Sequence, residues 1–443
     1  MNKPIVAIVG RPNVGKSTFF NKAAGKRLSI VEDRPGVTRD RVYADCEWCG
    51  KFFTLIDTGG LELNSEDVMF HHIREQVLIA LDLAEVILFF TDFKTGLTNE
   101  DYEVADMLRK KKKPVLVVVN KVDNYDPAAV AEFYCLGLGE IYPVSSESGT
   151  GVAEVLDECV RLFSNIVTED PYADAIKIAV VGRPNAGKSS LVNRILGYDR
   201  TIVSDIAGTT RDAIDTPFEY EGRQYVIIDT AGIRRNRSID DNVEAYSVMR
   251  AKYAIKRADV CLVVVDANED LTEQDIRIAG YVHEEGKPSV IVMNKWDLVV
   301  KDTYTINKFE EKLSEDLKFM DYYKSVYISA KTGKRLEQVL KLCDGVYESS
   351  HTKISTGVLN DVIQDAVSTN EPPSVNGKRL KILYATQVDV CPPLFVVFVN
   401  DAGLLHFSYK RYLENCIRRA FQFDGTPIRF AIRDKKEEDG FTV

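Results

Sequence analysis

The sequence predicts an α/β chain of two tandem doubly wound domains with mostly parallel sheets, followed by a small α+β domain. Short apolar runs rich in β-branched residues alternate with helical stretches through both halves, as strands covered on both faces do. The segment at residues 10–17 returns at residues 182–189 with a single change. Residues 351–443 show a different pattern, which predicts the third domain.

Composition limits the possible classes of protein. At 443 residues the chain has the length of roughly three domains, and 45% apolar and 28% charged residues are typical of a globular protein. No apolar run approaches the ~18 residues of a membrane helix. A predicted strand follows the first residues directly, so a signal peptide is not expected. We therefore expect a cytoplasmic monomer without membrane contact.

The net charge of −10 argues against unspecific coating of nucleic acid. The charge is unevenly spread, because residues 353–433 hold ten Lys and Arg against seven Asp and Glu, whereas the residues before them are acidic. A mildly basic C-terminal segment is compatible with docking on RNA. It is equally compatible with ordinary variation between domains.

The eight cysteines are scattered without the spacing of a secreted scaffold, so reduced thiols are expected. Cys46 and Cys49 form a CxxC motif, which occurs in redox and zinc sites. This pair lies at a predicted hairpin turn, with no second CxxC and no histidine near it. Coincidence therefore explains the motif better than a metal or redox site.

The first domain is predicted over residues 1–163. Its buried strands are expected at 5–9, 86–90 and 115–119. A helix at 100–112 ends in the basic run 109–113, and these cations favour a helix C-terminus more than a nucleic-acid patch. Residues 164–174 contain Pro171 and no helical period, and they predict a linker.

The second domain is predicted over residues 175–350. Its buried strands are expected at 178–181, 260–265 and 289–293, and Gly286 and Pro288 end a helix at 274–285.

The third domain, residues 351–443, is predicted to have the order α-β-β-α-β. Apolar residues at helical spacing near Val358 predict the first helix, and 381–387 and 393–399 predict two strands. An apolar stripe over 409–421 predicts the second helix, and 427–433 predicts the last strand. The arginines that lie off this stripe are Arg411, Arg418 and Arg419.

The repeated segment fits GxxxxGK[ST], a loop whose backbone N–H groups surround phosphate oxygens at the start of a helix. Lys16 and Lys188 are expected to bridge the terminal phosphates, and Ser17 and Ser189 to ligate Mg²⁺. The predicted nucleotide contacts are Gly10, Arg11, Pro12, Asn13, Val14, Gly15, Lys16 and Ser17, and in the second copy Gly182, Arg183, Pro184, Asn185, Ala186, Gly187, Lys188 and Ser189.

Two further motifs recur 172 residues later in the chain, the same distance that separates the two P-loops. Asp57 and Asp229 each end a strand and begin a motif that holds magnesium and senses the γ-phosphate. Thr38 and Thr210 suit a loop that closes over magnesium and γ-phosphate and relaxes after hydrolysis. The rest of the first motif is Thr58, Gly59, Gly60 and Leu61, and of the second Thr230, Ala231, Gly232 and Ile233. The predicted metal ligands are Ser17, Thr38, Asp57, Ser189, Thr210 and Asp229.

A third motif, Asn-Lys-x-Asp, selects the base. The carboxylates of Asp123 and Asp297 can accept two N–H bonds from guanine, whereas adenine has no such donor pair. Ser145-Ser146-Glu147 and Ser329-Ala330-Lys331 can supply a backbone N–H to guanine O6. The motif residues are Asn120, Lys121, Val122 and Asp123, and in the second copy Asn294, Lys295, Trp296 and Asp297. The sequence therefore predicts two sites for GTP or GDP.

The order of these motifs resembles the translation-factor-related GTPases, and the tandem copies resemble the bacterial double Era-like GTPases, a family of ribosome assembly factors. The resemblance covers essentially the whole chain. It includes a KH-like domain, whose motifs match Pro372-Pro373 and the segments 377–381, 398–401 and 407–412. It implies two G domains that hydrolyse GTP with Mg²⁺, and action on the large (50S) ribosomal subunit and its rRNA.

The chain departs from Ras-like GTPases where these place a water-orienting Gln, because Leu61 and Ile233 cannot orient water. Asn13 and Asn185 are similar to the asparagine with which cation-activated GTPases bind potassium. A structural turn is the alternative for these two residues. The residues expected to be catalytic are Lys16, Thr38, Asn13, Lys188, Thr210 and Asn185.

The KH-like segment departs from RNA-binding KH modules, which clamp the backbone with a GxxG loop. Its glycines offer no such spacing. We therefore expect it to pack on a G domain or to dock on folded rRNA, and not to read a single strand.

Two other functions fit part of the pattern. One is a binding module in which a single site is catalytic and the other holds nucleotide for structure, but both copies keep the Lys, Ser, Thr and Asp. The other is a tRNA-modification GTPase, which shares the P-loop asparagine but carries extra domains.

Overall fold

A computed structural model gives the fold of the chain. It describes residues 4–25, 43–57, 77–78, 84–110, 113–123, 130–163, 172, 174–197, 201–203, 215–228, 244–372, 374–375 and 378–434. The chain forms two compact units, residues 1–170 and 171–443.

The first unit is built on a six-stranded sheet. Its strands are β1 (Ile5–Val9), β2 (Tyr43–Trp48), β3 (Lys51–Asp57), β4 (Val86–Asp92), β5 (Val115–Asn120) and β6 (Ile141–Pro143). The spatial order is β2-β3-β1-β4-β5-β6, and every pair is parallel except β2 with β3. All residues of β1 and β4 are buried, because helices cover both faces of a doubly wound sheet.

The helices of the first unit are α1 (Lys16–Gly25), α2 (Asn99–Arg109) and α3 (Val152–Phe163). Helix α2 begins at a capping box, in which the Thr98 side chain accepts from the Asp101 N–H and the Asp101 carboxylate accepts from the Thr98 N–H. Helix α2 ends at Arg109, the first residue of the basic run, whereas the sequence predicted a helix to residue 112; residues 111 and 112 lie outside the described residues.

In the second unit, residues 174–350 form a seven-stranded sheet of the same kind. Its strands are β7 (Ile176–Val181), β8 (Thr201–Val203), β9 (Thr216–Tyr220), β10 (Arg223–Ile228), β11 (Val260–Asp266), β12 (Ser289–Asn294) and β13 (Lys324–Tyr327). The order β13-β12-β11-β7-β10-β9-β8 is parallel from β13 to β10 and antiparallel at the β10-β9-β8 end. Its helices are α4 (Lys188–Leu196), α5 (Glu244–Arg257), α6 (Glu273–Glu284), α7 (Thr305–Asp316) and α8 (Leu336–Ser350).

The remainder of the second unit is the predicted α+β domain. It consists of α9 (Thr356–Thr369), the short pair β14 (Ser374–Val375) and β15 (Lys378–Arg379), β16 (Ile382–Asp389), β17 (Leu394–Val399), α10 (Phe407–Phe421) and β18 (Arg429–Asp434). Strand β17 is central, antiparallel to β16 and parallel to β18. The α9 and α10 helices share a core with this sheet around Leu359, Phe395 and Leu413. The predicted order of elements is confirmed, with β14 and β15 added.

This domain is joined to the preceding G domain by backbone hydrogen bonds. The Gly425 N–H donates to the Tyr322 carbonyl at 2.7 Å, and the Ser289 N–H donates to the Gly425 carbonyl at 2.8 Å. Gly425 has φ +64°, and a Cβ there would lie 2.2 Å from Val346 Cγ1. Only glycine fits this close approach.

Three smaller predictions concern cysteines, membranes and the linker. Cys46 is buried and Cys49 is exposed, and among the described residues neither cysteine forms a disulfide and no metal-binding cluster occurs. Across the described parts of the chain, every helix is too short or too polar to cross a membrane. Most of the predicted linker, residues 164–171 and 173, lies outside the described residues. The division at residues 163, 174 and 350 stays a prediction.

Candidate functional site

The P-loop of the first unit joins β1 to α1 at the carboxyl edge of the sheet, where ligands bind in doubly wound folds. Gly10 and Gly15 have φ angles of +146° and +94°, which disfavour other residues. A Cβ at Gly10 would lie 2.4 Å from the Phe90 carbonyl oxygen, and one at Gly15 would lie 2.1 Å from Asn120 Nδ2. The loop is therefore pressed against the ends of β4 and β5.

The second P-loop repeats this geometry between β7 and α4. A Cβ at Gly182 would lie 2.3 Å from the Val264 carbonyl oxygen, and one at Gly187 would lie 2.1 Å from Asn294 Nδ2. The two sites therefore share their backbone conformation as well as their sequence.

The P-loop lysines lie inside their loops. Lys16 Nζ donates to the carbonyls of Gly10 and Arg11 at 2.7 and 2.8 Å. Lys188 Nζ donates to the equivalent carbonyls, both at 2.7 Å. Burial lowers the pKa of each ammonium to about 8, against the opposing charges of Asp57 at the first site and Asp275 at the second. A phosphate brought to either loop meets a desolvated cation, which it would stabilise.

The predicted magnesium ligands of the first site are adjacent. Ser17 Oγ donates to Asp57 Oδ2 at 2.6 Å, so a hydroxyl and a carboxylate oxygen lie together beside the P-loop. Such hard oxygen donors fit Mg²⁺, which is usually held by one or two protein oxygens plus substrate phosphates. At the second site Ser189 occupies the corresponding position at the start of α4.

Several predicted contacts lie outside the described residues. These are Thr38, Thr58, Gly59, Gly60, Leu61, Thr210, Asp229, Thr230, Ala231, Gly232 and Ile233.

The asparagine of each Asn-Lys-x-Asp motif connects two loops. The Asn120 amide donates to the Val14 carbonyl at 2.7 Å, and its oxygen accepts from the Ser146 N–H at 2.9 Å. Asn294 makes the same two bonds, to the Ala186 carbonyl at 2.9 Å and from the Ala330 N–H at 3.0 Å. These asparagines therefore hold the P-loop against the loop that was expected to reach guanine O6.

The motif lysines are oriented by aspartates that the sequence analysis did not select. Lys121 Nζ contacts Asp92 Oδ2 at 2.6 Å, and Lys295 Nζ contacts Asp266 Oδ2 at 2.5 Å. Each aspartate ends the strand beside the motif strand. Their offset of 174 residues equals that of the Asn-Lys-x-Asp motifs, a signal that could have revealed them.

The third residue of each Asn-Lys-x-Asp motif is part of the hydrophobic core. Val122 and Trp296 are both buried, and the Trp296 ring packs on Tyr327 with centroids 4.6 Å apart. The side chains of these two residues therefore serve packing.

The two predicted base-reading carboxylates have different partners. Asp123 accepts from Lys94 Nζ at 2.7 Å and from Ser145 Oγ at 3.1 Å, and these contacts lower its pKa. The Ser329 hydroxyl donates to Asp297 and lowers its pKa, with weaker contributions from more distant lysines. Both carboxylates are therefore ionised acceptors, as reading guanine N–H groups requires.

Asn13 and Asn185 adopt left-handed backbone conformations, with φ of +64° and +63°. Asparagine tolerates this region better than most residues. The turn alternative therefore accounts for these asparagines in the fold, and potassium binding stays a prediction.

The arginines of the P-loops contact aspartates at the N-termini of α2 and α6. Arg11 Nε lies 3.3 Å from Asp101 Oδ2, and Arg183 Nε lies 3.3 Å from Asp275 Oδ2. Both aspartates are also the N3 residues of capping boxes, those of α2 and α6. The guanidinium groups therefore tie each P-loop to a helix N-terminus.

One of the three arginines off the predicted apolar stripe, Arg418, makes contacts within the fold. The Arg418 guanidinium donates to the carbonyls of Phe423 and Thr426 at 3.1 and 2.9 Å, and it lies over the Tyr322 ring, 4.8 Å from the centroid. Arg411 and Arg419 are exposed. Arg418 thus helps to join the C-terminal domain to the second G domain.

Two solved structures are similar to parts of this chain. The G domain of FeoB from Methanococcus jannaschii is 22% identical, with a TM-score of 0.27, over 37% of this chain and all of that one. Era in complex with MgGDPNP and nucleotides 1506–1542 of 16S ribosomal RNA is 20% identical, with a TM-score of 0.30, over 60% of this chain and 96% of that one.

Family models and curated relatives cover nearly the whole chain. A model described as 50S ribosome-binding GTPase matches residues 5–121 and 177–295, and one described as KH-domain-like of EngA bacterial GTPase enzymes matches residues 353–433. GTPase Der of Acetivibrio thermocellus is 55% identical over 440 residues, 99% of this chain and 100% of the relative. GTPase Der of Agathobacter rectalis is 53% identical over 441 residues, with the same coverage. The chain belongs to the Der (EngA) family of GTPases, enzymes that hydrolyse GTP.

Proposed function

We propose that this GTPase is a nucleotide-dependent switch in assembly of the large (50S) ribosomal subunit, with two working GTP sites. The observation that carries the proposal is the duplication of one complete site geometry, down to the bonds of Lys16 and Lys188, on a chain that ends in a KH-like domain. The family description as a 50S ribosome-binding GTPase supports the choice of partner. Such a factor would work in the bacterial cytoplasm as a monomer.

At each site, different residues bind the phosphates, the base and the metal. Lys16 and Lys188 neutralise the terminal phosphates, and Asp123 and Asp297 accept the guanine N–H groups. Ser17 and Asp57 would hold Mg²⁺ at the first site, and the metal would supply positive charge that offsets the charge of the phosphates. By the sequence motifs, Thr38 and Thr210 would contact magnesium and the γ-phosphate, and Asp229 would hold Mg²⁺ at the second site together with Ser189.

Potassium is proposed as the second cation because Leu61 and Ile233 cannot orient water. Asn13 and Asn185 are exposed residues of the two P-loops. A monovalent cation held there would offset charge that develops during phosphoryl transfer, a role that an arginine finger has in other GTPases.

The ribosomal part of the proposal is tested by pelleting the full chain with purified large subunits at fixed salt. Loaded with GDP and with a non-hydrolysable GTP analogue, the protein should differ in affinity by about 5- to 150-fold, the usual range of coupling between sites. Small subunits serve as the control particle. Equal affinity in all nucleotide states would contradict the switch and leave the GTPase activity intact.

A further inference from the structure

Among the described residues, the base-reading carboxylates of Asp123 and Asp297 differ in one contact, an ion pair with a lysine that only Asp123 makes. Lys94 Nζ lies 2.7 Å from Asp123 Oδ2, while Ser145 Oγ donates to Oδ1. Both oxygens of this carboxylate therefore already have a donor. At the second site Ser329 donates to Asp297, whereas Lys331 and Lys301 act on it through charge at a distance.

The difference originates at one pair of equivalent positions. Residue 94 corresponds to residue 268, because Asp92 corresponds to Asp266 and Asp123 to Asp297. The Lys94 N–H donates to Asp92 Oδ1 at 2.9 Å, and the Asn268 N–H donates to Asp266 Oδ1 at 3.0 Å. The two backbones take the same turn, so only the side chain decides whether an ammonium reaches the carboxylate.

We propose that Lys94 weakens guanine binding at the first site by competing with the base for Asp123, and that Asn268 spares the second site this competition. The inference rests on the proposed guanine-reading role of the two aspartates. Guanine needs both carboxylate oxygens as acceptors, so the base must share or displace the Lys94 ammonium. The positive charge also reduces the strength with which the carboxylate accepts the two base N–H groups.

A second difference in the base pocket acts in the same direction. At the first site Lys22 Nζ donates to the Glu147 carbonyl at 2.6 Å, a single bond to the loop after β6. At the second site the fork of Arg194 donates to the carbonyls of Ala330 and Lys331, at 3.3 and 2.5 Å. Two bonds from a planar guanidinium fix a loop better than one from a flexible ammonium. The second base pocket is therefore the more rigid one.

The duplication supplies a reciprocal test, in which Lys94→Asn and Asn268→Lys exchange the two side chains. Affinity for GDP is measured at the first site in a Lys188→Ala background and at the second site in a Lys16→Ala background. Lys94→Asn should raise the affinity of the first site by about two- to fivefold at low salt, the range expected for an exposed ion pair. Asn268→Lys should lower the affinity of the second site by a similar factor.

The salt dependence of GDP affinity separates the competition by Lys94 from the contribution of the phosphate contacts. Phosphate contacts lose affinity with salt in parent and variant alike, so the ratio of the two affinities reports the Lys94 contact. That ratio should approach one between about 0.05 M and 1 M NaCl, because salt screens exposed pairs. Lys110→Asn, which removes an exposed cation at the end of α2, is the matched control for a general change of charge.

Asp123→Asn tests the guanine-reading role of Asp123 separately from the competition by Lys94. If it leaves GDP affinity unchanged, the guanine-reading assignment fails. If it weakens GDP while Lys94→Asn does no more than Lys110→Asn at any salt, the competition is overturned and the assignment stands. An unchanged or tighter second site in Asn268→Lys would also overturn the competition.

Discussion

At the scale of single residues, the carboxylates of Asp123 and Asp297 are predicted to choose the base. Asp123→Asn keeps the volume but turns one acceptor oxygen into a donor, which clashes with the N–H groups of guanine. GTP affinity at that site should fall by up to about 10⁴-fold, and xanthosine triphosphate should be preferred. The measurement is nucleotide titration of the first site in a Lys188→Ala background. A site that keeps its affinity for GTP would contradict the assignment.

The left-handed conformation of Asn13 allows its two possible roles to be separated. Glycine adopts φ +64° without strain, so Asn13→Gly should keep the turn and remove the side-chain oxygen. We expect GTP hydrolysis by the parent protein to be faster in potassium than in sodium. Asn13→Gly should bind nucleotide normally and lose that preference at the first site.

Asn185→Gly is the control variant for the comparison of potassium with sodium. It should remove the potassium preference of hydrolysis at the second site alone. Equal turnover of the parent protein in potassium and sodium would show that both asparagines are turn residues only.

The buried P-loop lysine predicts a pH dependence of nucleotide binding. Burial lowers the pKa of Lys16 to about 8, and only the protonated form neutralises phosphate. As pH rises through this value the unbound site loses its proton, so binding must recover it. GDP affinity at the first site should therefore fall about fourfold between pH 7 and 8.5.

This window avoids ionisation of the guanine ring itself. Lys16→Ala should bind GDP weakly and without this dependence, which makes it the control. An affinity of the parent protein that does not change over the window would show that the ammonium keeps its ordinary pKa.

At the scale of elements, the N-terminus of α2 supports the P-loop through Asp101. Asp101→Asn keeps an acceptor for the capping box but leaves the charge of Arg11 uncompensated in a partly buried place. Thr98→Ala removes the cap and keeps the ion pair, at a cost of about 0.5–2 kcal/mol. Loss of the partner charge should cost more than loss of the cap, because the largely buried Arg11 guanidinium would be left without its counter-charge.

Native-state hydrogen exchange of the α2 amides measures both variants, since it needs no assumption that the whole chain unfolds in one step. We expect faster exchange in Asp101→Asn than in Thr98→Ala. The reverse order would mean that the cap, and not the ion pair, holds this helix.

At the scale of the whole molecule, Gly425 is the closest backbone contact between the C-terminal domain and the second G domain. Gly425→Ala would place a methyl group 2.2 Å from Val346 Cγ1 in a conformation that disfavours alanine. We expect about 2–4 kcal/mol of destabilisation from overpacking and backbone strain together.

The exchange rates of the Ser289 and Gly425 amides, which bond across this contact, measure the opening. Gly357→Ala is the matched control, because a Cβ at this helical glycine meets nothing within 4 Å and should stabilise α9 by about 0.5–1 kcal/mol. If Gly425→Ala leaves the hydrogen-exchange protection of these amides unchanged, the close contact at Gly425 does not stabilise the association of the two domains.

The sequence by itself determined the fold class, the repeated P-loops, the base-reading motifs and the α-β-β-α-β order of the last domain. These features depend on residues that are neighbours in the sequence. A loop such as Gly10–Ser17 or a buried strand such as Val115–Asn120 can therefore be predicted from its own segment. Even the aspartates at 92 and 266 repeat at the offset of the base motif, although their role becomes clear only beside Lys121 and Lys295.

Only the tertiary structure decided what these residues contact. Lys94 and Asp123 lie on loops after different strands, and parallel packing brings the ends of β4 and β5 together at one edge. Arg418 follows a helical pattern that predicts an outward face, yet its guanidinium closes the contact with Tyr322. A local pattern specifies which way a side chain points from its own element. The element that packs opposite decides whether that side chain meets solvent, a nucleotide or another charge.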